Sequence, residues 1–177
     1  GWRYLLVDKA GCRTIFVGAG ANVAHPNYGS PRETLVAALL ELGRRNVEVL
    51  RHSPWYRTAP VPISDQPWYV NIVAEVATGL SADDLLLNLH AIEDLFGRVR
   101  TVPNAPRLID LDLLDYRGEI AAPADGKATL PHPRMADRAF VLRPLFDLAP
   151  EWRHPTSGVP IKDLLAALPP EQEAYRF

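Results

Sequence analysis

Cysteine is almost missing from this chain: Cys12 is the only one in 177 residues. No internal disulfide framework can therefore hold the fold, and the usage fits a reducing compartment. Net charge is also small, −2 with a pI near 6.2, which argues against broad binding to nucleic acid or to an anionic membrane, although a local basic cluster can still meet phosphate. No apolar run approaches the length of a bilayer crossing, and the opening GWRYLLVDKAG is too short and polar for a signal peptide. A soluble cytoplasmic protein is the expectation; Gly1 in place of methionine leaves open processing or excision from a longer polypeptide. G-x-x-x-x-G-K-[ST] does not occur, so a P-loop grip on nucleotide is excluded, and GAGAN at 18–22 is not a complete dinucleotide fingerprint. No His/Cys set suggests zinc.

What is present describes one globular domain over 1–177. Hydrophobic residues make up 47% and charged ones 23%, enough for a sizeable core. There is no internal repeat and no linker, and the 17 prolines stiffen loops without making the chain low in complexity. Thr14–Val17 reads as a short buried strand running into GAGAN, a turn in which Gly18 and Gly20 permit close backbone approach. Ser30-Pro31-Arg32-Glu33 is a capping box with proline at the first helical position; Leu35, Ala38, Leu39 and Leu42 then form an apolar stripe, with Gly43 as the stop. Val47–Arg51 is expected as a second strand and Tyr69–Thr78 as a third, separated by the proline-rich loop SPWYRTAPVPISDQP. Ser81 caps a second helix whose Leu85, Leu89, Ile92 and Phe96 share a face before Gly97. A last strand lies in APRLIDLDLLDY, residues 105–116. Strand, helix, strand, strand, helix, strand is the order of an α+β, ferredoxin-like (βαββαβ) domain: an antiparallel sheet with helices on one face and the other free for ligands. Residues 117–177 should add short helices and an extra hairpin.

The chemistry sits in the loops and on the last strand. There Ile109, Leu111 and Leu113 alternate with Asp110 and Asp112, so the aliphatics enter the core while both carboxylates stand on the open face. Like charges so close call for a metal ion, a basic side chain or water between them. Mg²⁺ takes carboxylate oxygen, water and substrate phosphate. Arg98, Arg100, Arg107 and Arg138 surround the same strand, and guanidinium groups suit phosphate; His132, between two prolines, is a further donor or a structural loop histidine. On the third strand Tyr69 and Asn71 face away from the core. An aromatic plane beside an amide, next to Thr58-Ala59-Pro60-Val61, suits a flat hydrogen-bonding heterocycle or is simply a polar surface.

Taken in order and spacing, SPWYRTAPVPISDQPWYVN, FGRVR, APRLIDLDLLDY and LPHPRMADRAFVLRPLFDLAP resemble the 6-hydroxymethyl-7,8-dihydropterin pyrophosphokinases of folate biosynthesis, over about Thr14–Pro150. That resemblance implies transfer of pyrophosphate from MgATP to the hydroxymethyl group of the pterin, releasing AMP. Asp110 and Asp112 would hold two Mg²⁺ ions; Arg98 and Arg107 would stabilise charge at the departing oxygen; His132, Arg138 and Arg100 would hold ATP. The pterin would lie between Tyr69 and Phe140, its edge read by Asn71, Thr58 and the backbone around Ala59 and Val61. Small-molecule substrates and a monomer are implied, with fusion to other folate enzymes possible. Asn104 and Ala105 stand where the family usually has tryptophan and glycine, which should alter lid closure more than reaction type. Two other readings stay open on the residues alone: a regulatory ferredoxin-like module that binds a nucleotide or amino acid, and a different metal-dependent phosphotransferase or phosphohydrolase.

Overall fold

The computed structural model describes residues 14–97 and 108–177. Arg98, Arg100, Arg107 and Cys12 lie outside the described residues. The elements, in chain order, are β1 (Ile15–Ala21), α1 (Pro31–Arg44), β2 (Glu48–His52), β3 (Tyr56–Thr58), β4 (Tyr69–Ala77), α2 (Ala82–Leu95), β5 (Asp110–Tyr116), a 3₁₀ turn (Met135–Asp137), α3 (Ala139–Leu148), α4 (Ile161–Ala166) and β6 (Ala174–Arg176). They form a mixed α/β fold around an open antiparallel sheet in the order β5-β1-β4-β3-β6, with β2 also paired to β4. Among the described residues no helix is long and apolar enough to cross a membrane.

Both sequence-predicted helix starts are seen. Ser30 accepts from Glu33 N at 3.2 Å while Glu33 returns to Ser30 N at 3.3 Å, so two orphan amides of the first turn of α1 are satisfied reciprocally. Ser81 accepts from Asp84 N at 3.1 Å. The predicted stop at Gly43 is corrected: α1 continues to Arg44, and Asn46, at φ +64°, turns the chain so that Val47 N reaches back to Leu42 O. Gly97, at φ +88°, does end the α2 turn as expected.

A larger correction concerns GAGAN. Gly18–Ala21 is not a turn but the second half of β1, paired to β4 on one side and β5 on the other. Hydrogen bonding from both neighbours overrides the low strand preference of glycine. Ile15, Val17, Ala19 and Ala21 alternate toward α1 and α2, where Leu35, Leu42, Leu85, Leu89 and Ile92 close a core with Ile72, Leu111 and Leu113. The opposite face is not wholly free, as the helix-on-one-face pattern had suggested. Over Phe16, Val73 and Leu114 it is covered by α3 and α4 through Val141, Leu142, Leu145, Ile161 and Leu165. Past Phe16 the same face of β1 presents Gly18 and Gly20, and the covering stops there. The fold thus builds a covered end and an open end on one sheet face. The C-terminal region supplies α3, α4 and β6, plus isolated antiparallel bridges at Ala121–Leu130 and Arg153–Pro160, in place of a separate hairpin.

Candidate active site

The open end is a cleft of about 410 Å³. Its floor follows from strand register. Gly18 lies between Asp112 on β5 and Val73 on β4, and Gly20 lies between Asp110 and Asn71. Side chains from the outer strands therefore flank a trough whose middle strand has none. A methyl group added at Gly20 would collide with Asn71 Oδ1, and one at Gly18 would meet Leu114 Cδ1 at 3.3 Å. Glycine inside a strand commonly marks a close approach by a ligand or another backbone.

One wall carries Tyr69, Asn71, Ala59 and Val61; the other carries Arg138, Phe140 and Val141. Asn71 is buried, and its amide nitrogen donates to Thr58 Oγ1 at 2.6 Å. Thr58 does not line the cleft; it fixes the plane of the amide that does. Arg138 carries its guanidinium 5.2 Å over the ring of Phe140, a cation–π contact that keeps both side chains at the rim.

At the other end of the trough stand Asp110 and Asp112, both partly exposed, with His132 Nε2 3.9 Å from Asp112 Oδ1. His132 Nδ1 accepts the Arg134 amide at 3.1 Å, which leaves the proton on Nε2, facing the carboxylate. Burial, reinforced by Arg138 and Arg134 and opposed by Asp112, holds the imidazole below its ordinary value. His132 is thus a neutral donor near neutral pH, held in place by its own backbone N–H on Leu114 O at 2.9 Å.

A second recess of about 270 Å³ adjoins the first and shares Asp112, His132 and Pro133 with it. Leu86, Leu111 and Leu113 give it apolar walls, while Lys127, Thr129, His90 and Glu93 add polar groups. Glu93 is buried on α2 and accepts the Leu111 amide at 3.1 Å. Among the described residues no group of three or more His, Cys, Asp or Glu side chains is arranged to hold a metal alone. Two carboxylates open to a cleft nevertheless fit a hard cation that takes its remaining oxygens from water and a phosphorylated ligand.

Of the sequence-predicted site residues, Ala59, Val61, Tyr69, Asn71, Asp110, Asp112, His132, Arg138 and Phe140 all line one cleft. Arg98, Arg100 and Arg107 fall on the stretch between α2 and β5 that lies outside the described residues. Gly18, Gly20, Ile72, Pro133, Arg134 and Val141 also line the cleft without having been predicted to do so. The Gly-x-Gly alternation was the signal available for the first two.

Comparison with known proteins agrees with this geometry. Residues 16–150 match the model of the family described as 7,8-dihydro-6-hydroxymethylpterin-pyrophosphokinase. The chain is 40% identical over 156 residues to the 2-amino-4-hydroxy-6-hydroxymethyldihydropteridine pyrophosphokinase of Pseudomonas aeruginosa, covering 88% of this chain and 91% of that protein. It is 33% identical over 147 residues to the folic acid synthesis protein fol1 of Pneumocystis carinii, of which it spans only 19% while 83% of this chain is covered. Among solved structures, the HPPK-DHPS of Plasmodium falciparum with pteroate has the same fold at a TM-score of 0.65, with 12% identity, over 86% of this chain and 42% of that one.

Proposed function

The chain belongs to the 7,8-dihydro-6-hydroxymethylpterin-pyrophosphokinase family, and on that premise we propose that it transfers pyrophosphate from ATP to 6-hydroxymethyl-7,8-dihydropterin, giving the pterin diphosphate and AMP. The observation that carries this reading is the position of the two carboxylates on the open face of β5: Asp110 lines the glycine-floored cleft, and Asp112 stands where that cleft meets the apolar recess. A pterin in the first cavity and a nucleoside in the second would have the triphosphate between them, across these two carboxylates.

The cleft suits the acceptor. A flat bicycle fits between Tyr69 and Phe140, and the bare strand at Gly18 and Gly20 lets it lie low against the sheet. Asn71, its amide plane set by Thr58, reads the ring edge together with backbone groups near Ala59 and Val61. Apolar and aromatic walls with a few oriented polar groups are how small-molecule sites combine affinity with orientation. The adenine is assigned to the recess lined by Leu86, Leu111 and Leu113.

Asp110 and Asp112 would hold two Mg²⁺ ions, whose contribution is to neutralise phosphate charge and orient the β-phosphorus for in-line attack. Asp110 also orients the attacking hydroxymethyl group. The bond from that oxygen to the β-phosphorus forms as the one from the β-phosphorus to the α,β-bridging oxygen breaks; AMP departs with the electron pair, and the hydroxyl proton is released to water. Neutral His132 offers Nε2–H to a phosphoryl oxygen, while Arg134 and Arg138 bring positive charge to the same rim. Arg98, Arg100 and Arg107 are assigned to the triphosphate and to charge on the leaving oxygen. One such preorganised donor lowers a barrier by about 3 kcal/mol.

The strand order β5-β1-β4, with β2 and β3 sharing the position on the other side of β4, supports the ferredoxin-like reading. One domain over residues 1–177, a monomeric state and a cytoplasmic location complete the proposal. The decisive assay supplies the purified protein with ATP, Mg²⁺ and hydroxymethyldihydropterin. AMP should appear only when the pterin is present, and EDTA should stop its release. Asp112→Ala should abolish turnover while leaving the far-ultraviolet circular dichroism unchanged. AMP or phosphate released at the same rate without pterin would instead favour a phosphohydrolase.

A further inference from the structure

We propose that residues 172–176 form a strap that sets the spacing between the two walls of the cleft, with Gln172 as its positioning residue. This inference rests on the reading of the cleft as the pterin site. The segment lies beyond residues 16–150, the stretch that matches the family.

The case starts at a helix end. α3 begins at Ala139, and Arg138, which precedes it, gives no side-chain cap. First-turn amides need an acceptor from somewhere. Gln172 provides one from 33 residues away: its Oε1 accepts from Ala139 N at 2.8 Å, and its Nε2 donates to Asp137 O at 2.9 Å. A single amide thus grips the backbone on both sides of Arg138 and next to Phe140. The adjoining residue holds the opposite wall, since Glu173 O accepts from Ala59 N at 3.0 Å. β6 then continues that hold, pairing Thr58 with Ala174 and Tyr56 with Arg176.

A second tie crosses one level deeper. Arg176 places Nη2 2.6 Å from Asp147 Oδ1 and Nε 3.1 Å from Asp147 Oδ2, on α3. Tyr56 of β3 donates its hydroxyl to the same Oδ2. The paired guanidinium bonds fix orientation as well as distance. Gln172 and Arg176 therefore link β3, which leads into the wall containing Ala59 and Val61, to α3, which carries Phe140. Neither side chain lines the cleft. Their action on a bound ring would be to fix how far apart its two faces are held.

The test compares Gln172→Ala, Arg176→Ala and, as a control, Glu171→Ala at the exposed neighbouring position. Gln172→Ala should raise the KM for hydroxymethyldihydropterin about fivefold, the effect of one net hydrogen bond, and leave the KM for ATP within about twofold. Arg176→Ala should act in the same direction, and Glu171→Ala on neither constant. A lower melting temperature for Gln172→Ala with the pterin KM unchanged, or equal increases in both KM values, would overturn the strap and leave only a stabilising tail. Amide exchange judges the strap independently of turnover. In Gln172→Ala the Ala59 amide, on the far wall, should exchange faster together with Ala139; acceleration at Ala139 alone refutes the coupling. If the wild type shows no turnover with the pterin, the functional reading fails and the exchange result still decides the strap.

Discussion

Two glycines separated by a single residue on β1 have different tolerances, and the difference tests the trough. At Gly20 the space a methyl group would need is taken by Asn71 Oδ1, and Asn71 is pinned from behind by Thr58 Oγ1 at 2.6 Å. The amide can yield only by breaking that bond. At Gly18 the neighbour is the tip of Leu114, 3.3 Å away, which can give by a few tenths of an ångström. Gly20→Ala should therefore cost about 1–3 kcal/mol in stability, as overpacking usually does, and raise the pterin KM about tenfold or more as the amide loses its orientation. Gly18→Ala should fold with a loss below about 1 kcal/mol and a smaller effect on KM. Urea unfolding and steady-state kinetics on the two variants check this. Equal behaviour at both positions would mean that Asn71 is not oriented by Thr58.

Among elements, α1 gives the simplest quantitative test. Ser30→Ala removes the acceptor for Glu33 N and breaks the reciprocal pair, which should destabilise the protein by about 1 kcal/mol in urea unfolding. The cap is remote from Asp110 and Asn71 in its bonding, so kcat should be unchanged. These helices were legible in the sequence because their determinants are local: a cap, a stripe such as Leu85, Leu89 and Ile92, and a stop at Gly97. The paired aspartates of β5 were legible for a similar reason, since a period of two assigns faces without further information. β3 was not. Its three residues sit in a proline-rich stretch, and they become a strand only because β4 pairs on one side and β6, more than a hundred residues later, pairs on the other. Gly18–Ala21 was misjudged as a turn because glycine carries little strand preference of its own and its hydrogen bonds come from two other strands. The cap that Gln172 gives α3 is invisible for the same reason: its partners are distant in the chain.

At the scale of the whole molecule, one sheet separates two cores, and the second is tied to β5 through a buried carboxylate. Asp115 accepts from Trp152 Nε1 at 2.8 Å and from Gly118 N at 2.9 Å. Burial nevertheless raises its carboxyl above the ordinary value, the two donors and His154 only partly opposing it. A folded value above the unfolded one means that the native state takes up the proton first. This group's contribution to stability thus grows as pH falls through the folded value and levels off below the unfolded one, near 3.9. Trp152→Phe removes the indole donor, so the carboxylate loses a partner and its folded value moves further up. The variant should lose about 1–3 kcal/mol at pH 8, where the buried group is charged. The loss should shrink toward pH 4.5 as the carboxyl becomes protonated. His154, itself held below its ordinary value chiefly by burial, works in the opposite sense on acidification, and its ring packs edge-on against Trp152 at 5.9 Å, so both proteins being compared carry His154→Gln, which removes that titration from the difference. The ring volume lost in going from indole to phenyl does not depend on pH. Urea midpoints of the two proteins, with and without Trp152→Phe, at the two pH values isolate the hydrogen bond: a gap that narrows in acid assigns it to Asp115, whereas a constant gap assigns the loss to packing around Trp152 alone.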